Sequence, residues 1–65
     1  MTQNEMILLD LRTYSGVTAQ DAYEMYGIMR LAGRIHELRK RGHNIVTETV
    51  QKGRVRYARY RLVKP

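Results

Sequence analysis

Two hydrophobic periods meet at Gly42, and that junction restricts what the chain can fold into. Ahead of it, apolar residues recur at helical spacing in three segments, each followed by a glycine at 16, 27 or 42. Beyond it, Ile45, Val46, Thr47, Thr49 and Val50 form a β-branched run with strand character. An all-helical or all-strand fold is thereby excluded, and the order is helices first, sheet last.

Each helical segment carries its own start and stop. Thr2 and Glu5 stand three apart, the spacing of a capping box, in which each side chain takes the other residue's backbone N–H. Apolar residues follow at 6, 7, 8, 9, 11 and 14. Met6, Leu9 and either Thr13 or Tyr14 are expected on one buried face, with Ile7, Leu8 and Leu11 widening it. Ser15-Gly16 offers a left-handed stop, so a first helix is predicted over about residues 3–14. Thr18 repeats the start signal, with Asp21 in the first turn against the positive helix end and Val17 able to staple onto Ala22. Ala22, Met25 and Tyr26 give the buried stripe of a second helix over about 19–26, which Gly27 ends.

Ile28, Leu31, Ile35 and Leu38, spaced by 3, 4 and 3, predict a third helix over about 29–41. Arg39, Lys40 and Arg41 lie in its last turn, where the dipole favours cations, and Gly42 follows. Strands are predicted over about 44–51 and 54–63, joined through Lys52-Gly53 into a hairpin with the basic tip Gln51-Lys52-Gly53-Arg54. Ile45, Tyr60 and Leu62 are expected to face the core.

Sixty-five residues make one domain, 1–65, and a chain this short buries only about 60% of its unfolded surface. The absence of cysteine excludes disulfides and thiolate zinc sites. The longest apolar run, Met6 to Leu9, is far below the roughly 20 residues of a membrane span, and no secretory layout opens the chain. A cytoplasmic location, in a bacterial cytoplasm or nucleoid, is the expectation, with no membrane partner. There is no nucleophile beside a base, no phosphate-cradling glycine loop and no metal cluster; His36 and His43 lack companions for zinc. No catalytic residue, metal or cofactor is expected, and the protein is not expected to be an enzyme.

The net charge is +6, and its distribution is lopsided. Residues 1–27 set Arg12 against Glu5, Asp10, Asp21 and Glu24, a net of −3. Residues 28–65 set eleven basic residues against Glu37 and Glu48, a net of +9. A cationic half points to a polyanionic partner, above all nucleic acid.

Three helices, a hairpin, and a turn of about one or two residues between the second and third helices describe an α+β fold: a three-helix winged helix-turn-helix with a C-terminal two-stranded β-hairpin wing. In that arrangement the third helix enters the major groove of DNA and the wing lies on the flanking backbone. The stretch Val17-Thr18-Ala19-Gln20-Asp21-Ala22, then Tyr26-Gly27-Ile28, then Arg30 to Gly42, and the ending Arg56 to Leu62 resemble the small winged helix-turn-helix proteins of bacteriophages and prophages. The resemblance covers about residues 5–62 and implies a DNA-binding regulator or excision accessory of phage or prophage origin.

On a helical wheel, Met29, Gly33, His36, Glu37 and Lys40 lie opposite the apolar stripe of the third helix, and Arg30, Arg34 and Arg41 along one flank. Arg30 and Arg34 are the first candidates for reading guanine, which arginine can grip through two acceptors. Glu37 can accept from cytosine or pair with Arg34 or Arg41 along the helix. Gly33 gives a bare face for close approach to DNA, or a close contact with the second helix, or a glycine that is simply tolerated. Lys40, Arg41, Lys52, Arg54 and Arg56 are candidates for backbone contacts, and Thr18 and Gln20 sit where a second helix begins on a phosphate. Arg59 and Arg61 read as charges that keep an edge strand soluble. Tyr14, Tyr23, Tyr26 and Tyr60 are expected in the core. Tyr57 is read as core or rim, with base stacking as the competing reading.

Double-stranded DNA is therefore the expected partner. One such module buries about 600–1,000 Å², too little for tight specific binding alone, so a homodimer, a cooperative array or a protein partner is expected beside it. The competing reading is a protein-interaction module that binds or inhibits a host protein through the same scaffold.

Overall fold

The computed structural model describes residues 2–63. Its elements run α1 (Gln3–Thr13), β1 (Val17–Thr18), α2 (Ala19–Tyr26), α3 (Leu31–Lys40), β2 (Ile45–Lys52) and β3 (Val55–Leu62). Three helices with an antiparallel hairpin give the α+β winged helix-turn-helix. The sheet has a third member that the sequence does not announce. Val17 and Thr18 pair with Tyr60 and Arg59, so the order is β1-β3-β2 and the wing is rooted between α1 and α2.

Both early helices begin with a closed capping box. Thr2 Oγ1 accepts from Glu5 N while Glu5 Oε1 accepts from Thr2 N, and Thr18 and Asp21 repeat the exchange at α2. The first helix ends differently from expectation. Tyr14 leaves α1 in extended backbone (φ −110), and Gly16 provides no left-handed cap. A Cβ on Gly16 would instead run into the side chain of Arg59, which lies across it and donates to Ser15 O and Oγ at 3.2 and 3.0 Å.

Gly27 does cap α2 left-handed (φ 69): its N–H bonds Tyr23 O, and Ile28 N reaches back to Ala22 O at 3.3 Å. Ile28 is consequently buried in the turn and is not a helical residue. The connection from α2 to α3 therefore spans Gly27 to Arg30, longer than expected, and α3 starts at Leu31.

The core gathers Ile7, Leu11, Val17, Ala22, Ile28, Leu31, Ile35, Leu38 and Ile45, with Leu8, Tyr26, Tyr60 and Leu62 packed against it. Ile45, Tyr60 and Leu62 thus face inward as predicted. The buried face of α1 is rotated from the expected one. Asn4, Ile7, Asp10 and Leu11 turn inward, whereas Leu9 is 49% exposed. The reason is polar: Asn4 and Asp10 have partners inside, Glu37 and the Tyr26 hydroxyl, each at 2.8 Å. Hydrophobicity alone therefore misplaces the face. Tyr23 and Met25, expected in the core, are also exposed, because α2 buries little beyond Ala22 and leans on Tyr26, and Tyr14, expected there too but past the end of α1, is exposed as well. Among the described residues, no helix is long and apolar enough to cross a membrane.

Candidate nucleic-acid interface

The site is built where three chain segments converge. The start of α2 supplies Thr18 and Gln20, the approach to α3 supplies Met29, Arg30 and Gly33, and β3 supplies Val55 and Tyr57. Together they line a groove of about 410 Å³. The β1 pairing makes this possible, because it fixes the start of α2 directly against β3.

Arg30 occupies the position before the first turn of α3, exposed, with no side-chain cap bond. Gly33 lies in that first turn, and a Cβ there would meet nothing within 4 Å among the described residues. Close packing of Gly33 against α2 is thereby ruled out: the position opens onto the groove. Its place in the first turn also explains why glycine is tolerated, since the full cost of about 1 kcal/mol applies to helix interiors.

Arg34 and Glu37 are engaged with the protein. Glu37 Oε1 holds Arg34 at 2.8 Å, and Oε2 accepts from Asn4 Nδ2 at 2.8 Å. The Asn4 hydrogen bond, helped by the nearby Arg34, Arg41 and Lys40, keeps the Glu37 carboxyl below the ordinary glutamate range. Of the two readings for Glu37, the structure thus realises the pair with Arg34 and adds a bond to α1 that spacing along one helix could not reveal.

Lys40 and Arg41 are exposed at the far end of α3, roughly 15 Å from its start at 1.5 Å per residue. They do not join the groove. The wing carries its cations on both faces and at its tip. Arg56 pairs with Gln51 on the face shared with Ile45, Ala58 and Tyr60, which looks toward the helices. Lys52 pairs with Val55 on the other face, and Gly53 (φ 62) with Arg54 forms the two-residue turn between them. Lys52 lines a second groove with Gln20 and Tyr57, continuous with the first through those shared residues. Arg59 is held by Ser15 and Arg61 lies 3.5 Å from Glu48, so both serve the sheet.

Three residues at the site were not selected from sequence. Met29 is 81% exposed at the mouth of α3, and its place opposite the apolar stripe was a usable signal. Tyr57 is 39% exposed and lines both grooves, so it is not core. Arg39 donates from Nε to Ile45 O and from Nη2 to Thr47 Oγ1, both at 2.9 Å, and so fixes the base of the wing to α3. Nothing in helical spacing marks that bond, because it crosses to the strand.

The family of winged helix-turn-helix domains matches the chain over residues 2–65. The chain belongs to this family, whose domain is in general a DNA-binding module. No curated protein and no solved structure matches it.

Proposed function

We propose that this protein binds double-stranded DNA sequence-specifically, with α3 in the major groove and the wing on the flanking backbone, as a single folded unit over residues 1–65. The observation that carries the reading is the convergence of the α2 start, the α3 start and β3 on one groove, of which the α3 start and β3 come from the half of the chain that bears a net charge of +9. A B-DNA major groove about 12 Å wide admits a helix, and the small residues Ala32 and Gly33 on the exposed side of α3 allow close approach.

Arg30 is the leading base-reading residue, since its guanidinium is uncommitted to a cap. Arg34 sits in the ion pair with Glu37 and reads bases only from within that pair; Glu37 acts as its brace. Thr18 and Gln20 meet a phosphate at the start of α2, and Lys52, Arg54 and Arg56 meet the backbone beyond. Lys40 and Arg41 add long-range attraction at the other end of α3. The role that suits such a module is a regulator or an excision accessory of a phage or prophage, acting in the host cytoplasm; the sequence resemblance supports it.

The test is duplex binding across a salt series. Each phosphate contact contributes about −0.9 to the slope of log K against log salt. Lys52→Ala/Arg54→Ala should flatten the slope by about two contacts, while Arg30→Ala should reduce discrimination between sequences. Weak binding with a shallow slope in the wild type would sink the reading.

A second reading has its own observation. Leu9, Tyr23 and Met25 on the helices of the acidic half, and Tyr14 just past α1, are exposed, an apolar allotment that DNA binding does not use. A protein partner, a second copy or a host protein, docked there accounts for it. Tyr14→Ser/Met25→Ser abolishing a complex without changing duplex affinity would support this surface.

A further inference from the structure

The groove between α3 and the wing has a chemistry that phosphate binding leaves unexplained. Phosphate sites are made of N–H and O–H donors. Here Met29, Val55 and Tyr57 present apolar surface beside Ala32 and Gly33, and Arg30 supplies the cation at the edge. Met29 stands 81% and Val55 61% exposed, an arrangement that costs solvation with no return inside the isolated protein.

We infer that this groove is a binding site for the 5-methyl group of thymine on the major-groove edge of the DNA, with Met29 as its principal contact. The inference rests on the duplex-binding reading above. Of the four bases only thymine presents an apolar group in the major groove, so an apolar lining at the start of a groove-reading helix selects that base. A flexible, polarizable methionine adapts to a methyl that approaches from either neighbouring step. Gly33, with open space where a Cβ would stand, leaves room for the base edge. Arg30, at the same groove, donates to thymine O4 or to the acceptors of the adjoining base pair. The site thus couples an apolar and a polar criterion within one step of sequence.

The test removes the methyl and nothing else. Purified protein is titrated with a 20-base-pair duplex of alternating adenine and thymine, which offers a thymine in every register, and with the same duplex carrying deoxyuridine. Burying one methyl is equivalent to roughly a three- to four-fold change in affinity. The wild type should bind the thymine duplex about three-fold more tightly, and Met29→Ala should bind both duplexes equally with an unchanged salt slope. Met29 is exposed, so the variant should melt with the wild type, and a melting curve checks that. Tight, salt-dependent binding with equal affinity for the two duplexes overturns the methyl site while leaving DNA binding intact. A preference for thymine that survives Met29→Ala overturns the assignment to this groove. Failure to bind either duplex overturns the DNA reading and the methyl site with it.

Discussion

Asn4 donates from Nδ2 to Glu37 Oε2 at 2.8 Å, joining α1 to α3 across 33 positions of sequence. The other oxygen of Glu37 holds Arg34 at 2.8 Å, so a residue only 6% exposed in the first helix braces a cation beside the candidate interface. The amide pays for this role, because Asn4 Oδ1 is buried without a hydrogen-bond partner among the described residues.

Asn4→Ala should therefore destabilise by about 1 kcal/mol, the net worth of one hydrogen bond, lowering Tm by roughly 4–8 °C in a domain of this size. Freed of its donor, the Glu37 carboxyl should titrate closer to the ordinary glutamate range. Thermal melts and a carboxyl-carbon NMR titration check both. A Glu37 titration unmoved by Asn4→Ala would show that the bond does not hold the carboxylate.

Gly16 and Arg59 should be coupled. Gly16→Ala puts a methyl where the Arg59 side chain lies and displaces it from Ser15. Arg59→Ala loses the same bonds, about 1 kcal/mol. The double variant should be no less stable than Arg59→Ala alone, because the collision has no second party. Additive losses in denaturant melts would contradict the contact.

These pairs also mark what the sequence could disclose. Capping boxes at Thr2 and Thr18, the stop at Gly27 and the change of period at Gly42 are local signals, written within a few residues, and the architecture follows from them. The third strand was invisible because two residues, Val17 and Thr18, carry no alternation, and its partner lies over forty positions away. The inward face of α1 was misread because polar Asn4 and Asp10 are buried by partners on other helices. At the candidate interface, charge singles out Arg30 and the wing cations, whereas Met29, placed opposite the apolar stripe, and Tyr57, read as core or rim, carry no charge to mark them, and their exposure shows only in the fold. Arg39 looked like one more cation in a basic turn. Its bonds to Ile45 and Thr47 exist only once the strand has folded back.

Arg39→Ala should loosen the wing from α3. Two side-chain bonds at 2.9 Å are lost, for about 1–3 kcal/mol together. If the wing and α3 act on one DNA face, duplex affinity should fall even at temperatures where the variant is fully folded. Amide exchange in β2 and β3 should quicken. Unchanged exchange there would refute the anchoring role.

Stability should fall at both ends of the pH scale. Glu5 lies below the ordinary 4.5, chiefly through its bond with the Thr2 backbone, and Glu37 lies below it through Asn4. A carboxyl lowered on folding stabilises above its unfolded pKa, and that stabilisation is lost as pH falls below about 4.5 through the folded values. Tyr26 is raised above the ordinary 10.0, first by its hydrogen bond to Asp10. A phenol raised on folding stabilises in its neutral form, fully below pH 10.0, and this is lost as pH climbs through the folded value. Tyr26→Phe should flatten the alkaline limb, and Thr2→Ala with Asn4→Ala should flatten the acid limb and leave the alkaline one as it is. Melts from pH 3 to 11 (a range on the order of the groups' own span) would expose any mixing of the two.

Gly33 separates stability from binding most sharply. Its backbone is helical and a Cβ meets open space among the described residues, so Gly33→Ala should stabilise by about 0.4–1 kcal/mol through the unfolded chain. Gly33→Leu should leave Tm close to that of the wild type, because its side chain enters the groove and not the core. Filling the groove beside Met29 and Tyr57 should keep the base edge out, and loss of the contacts behind it should weaken duplex binding by tenfold or more, about 1.4 kcal/mol. The direction matters more than the size: a more stable or equally stable protein that binds less well is the signature of a glycine kept for approach. A large fall in Tm with intact affinity per folded molecule would mean that the position faces protein after all.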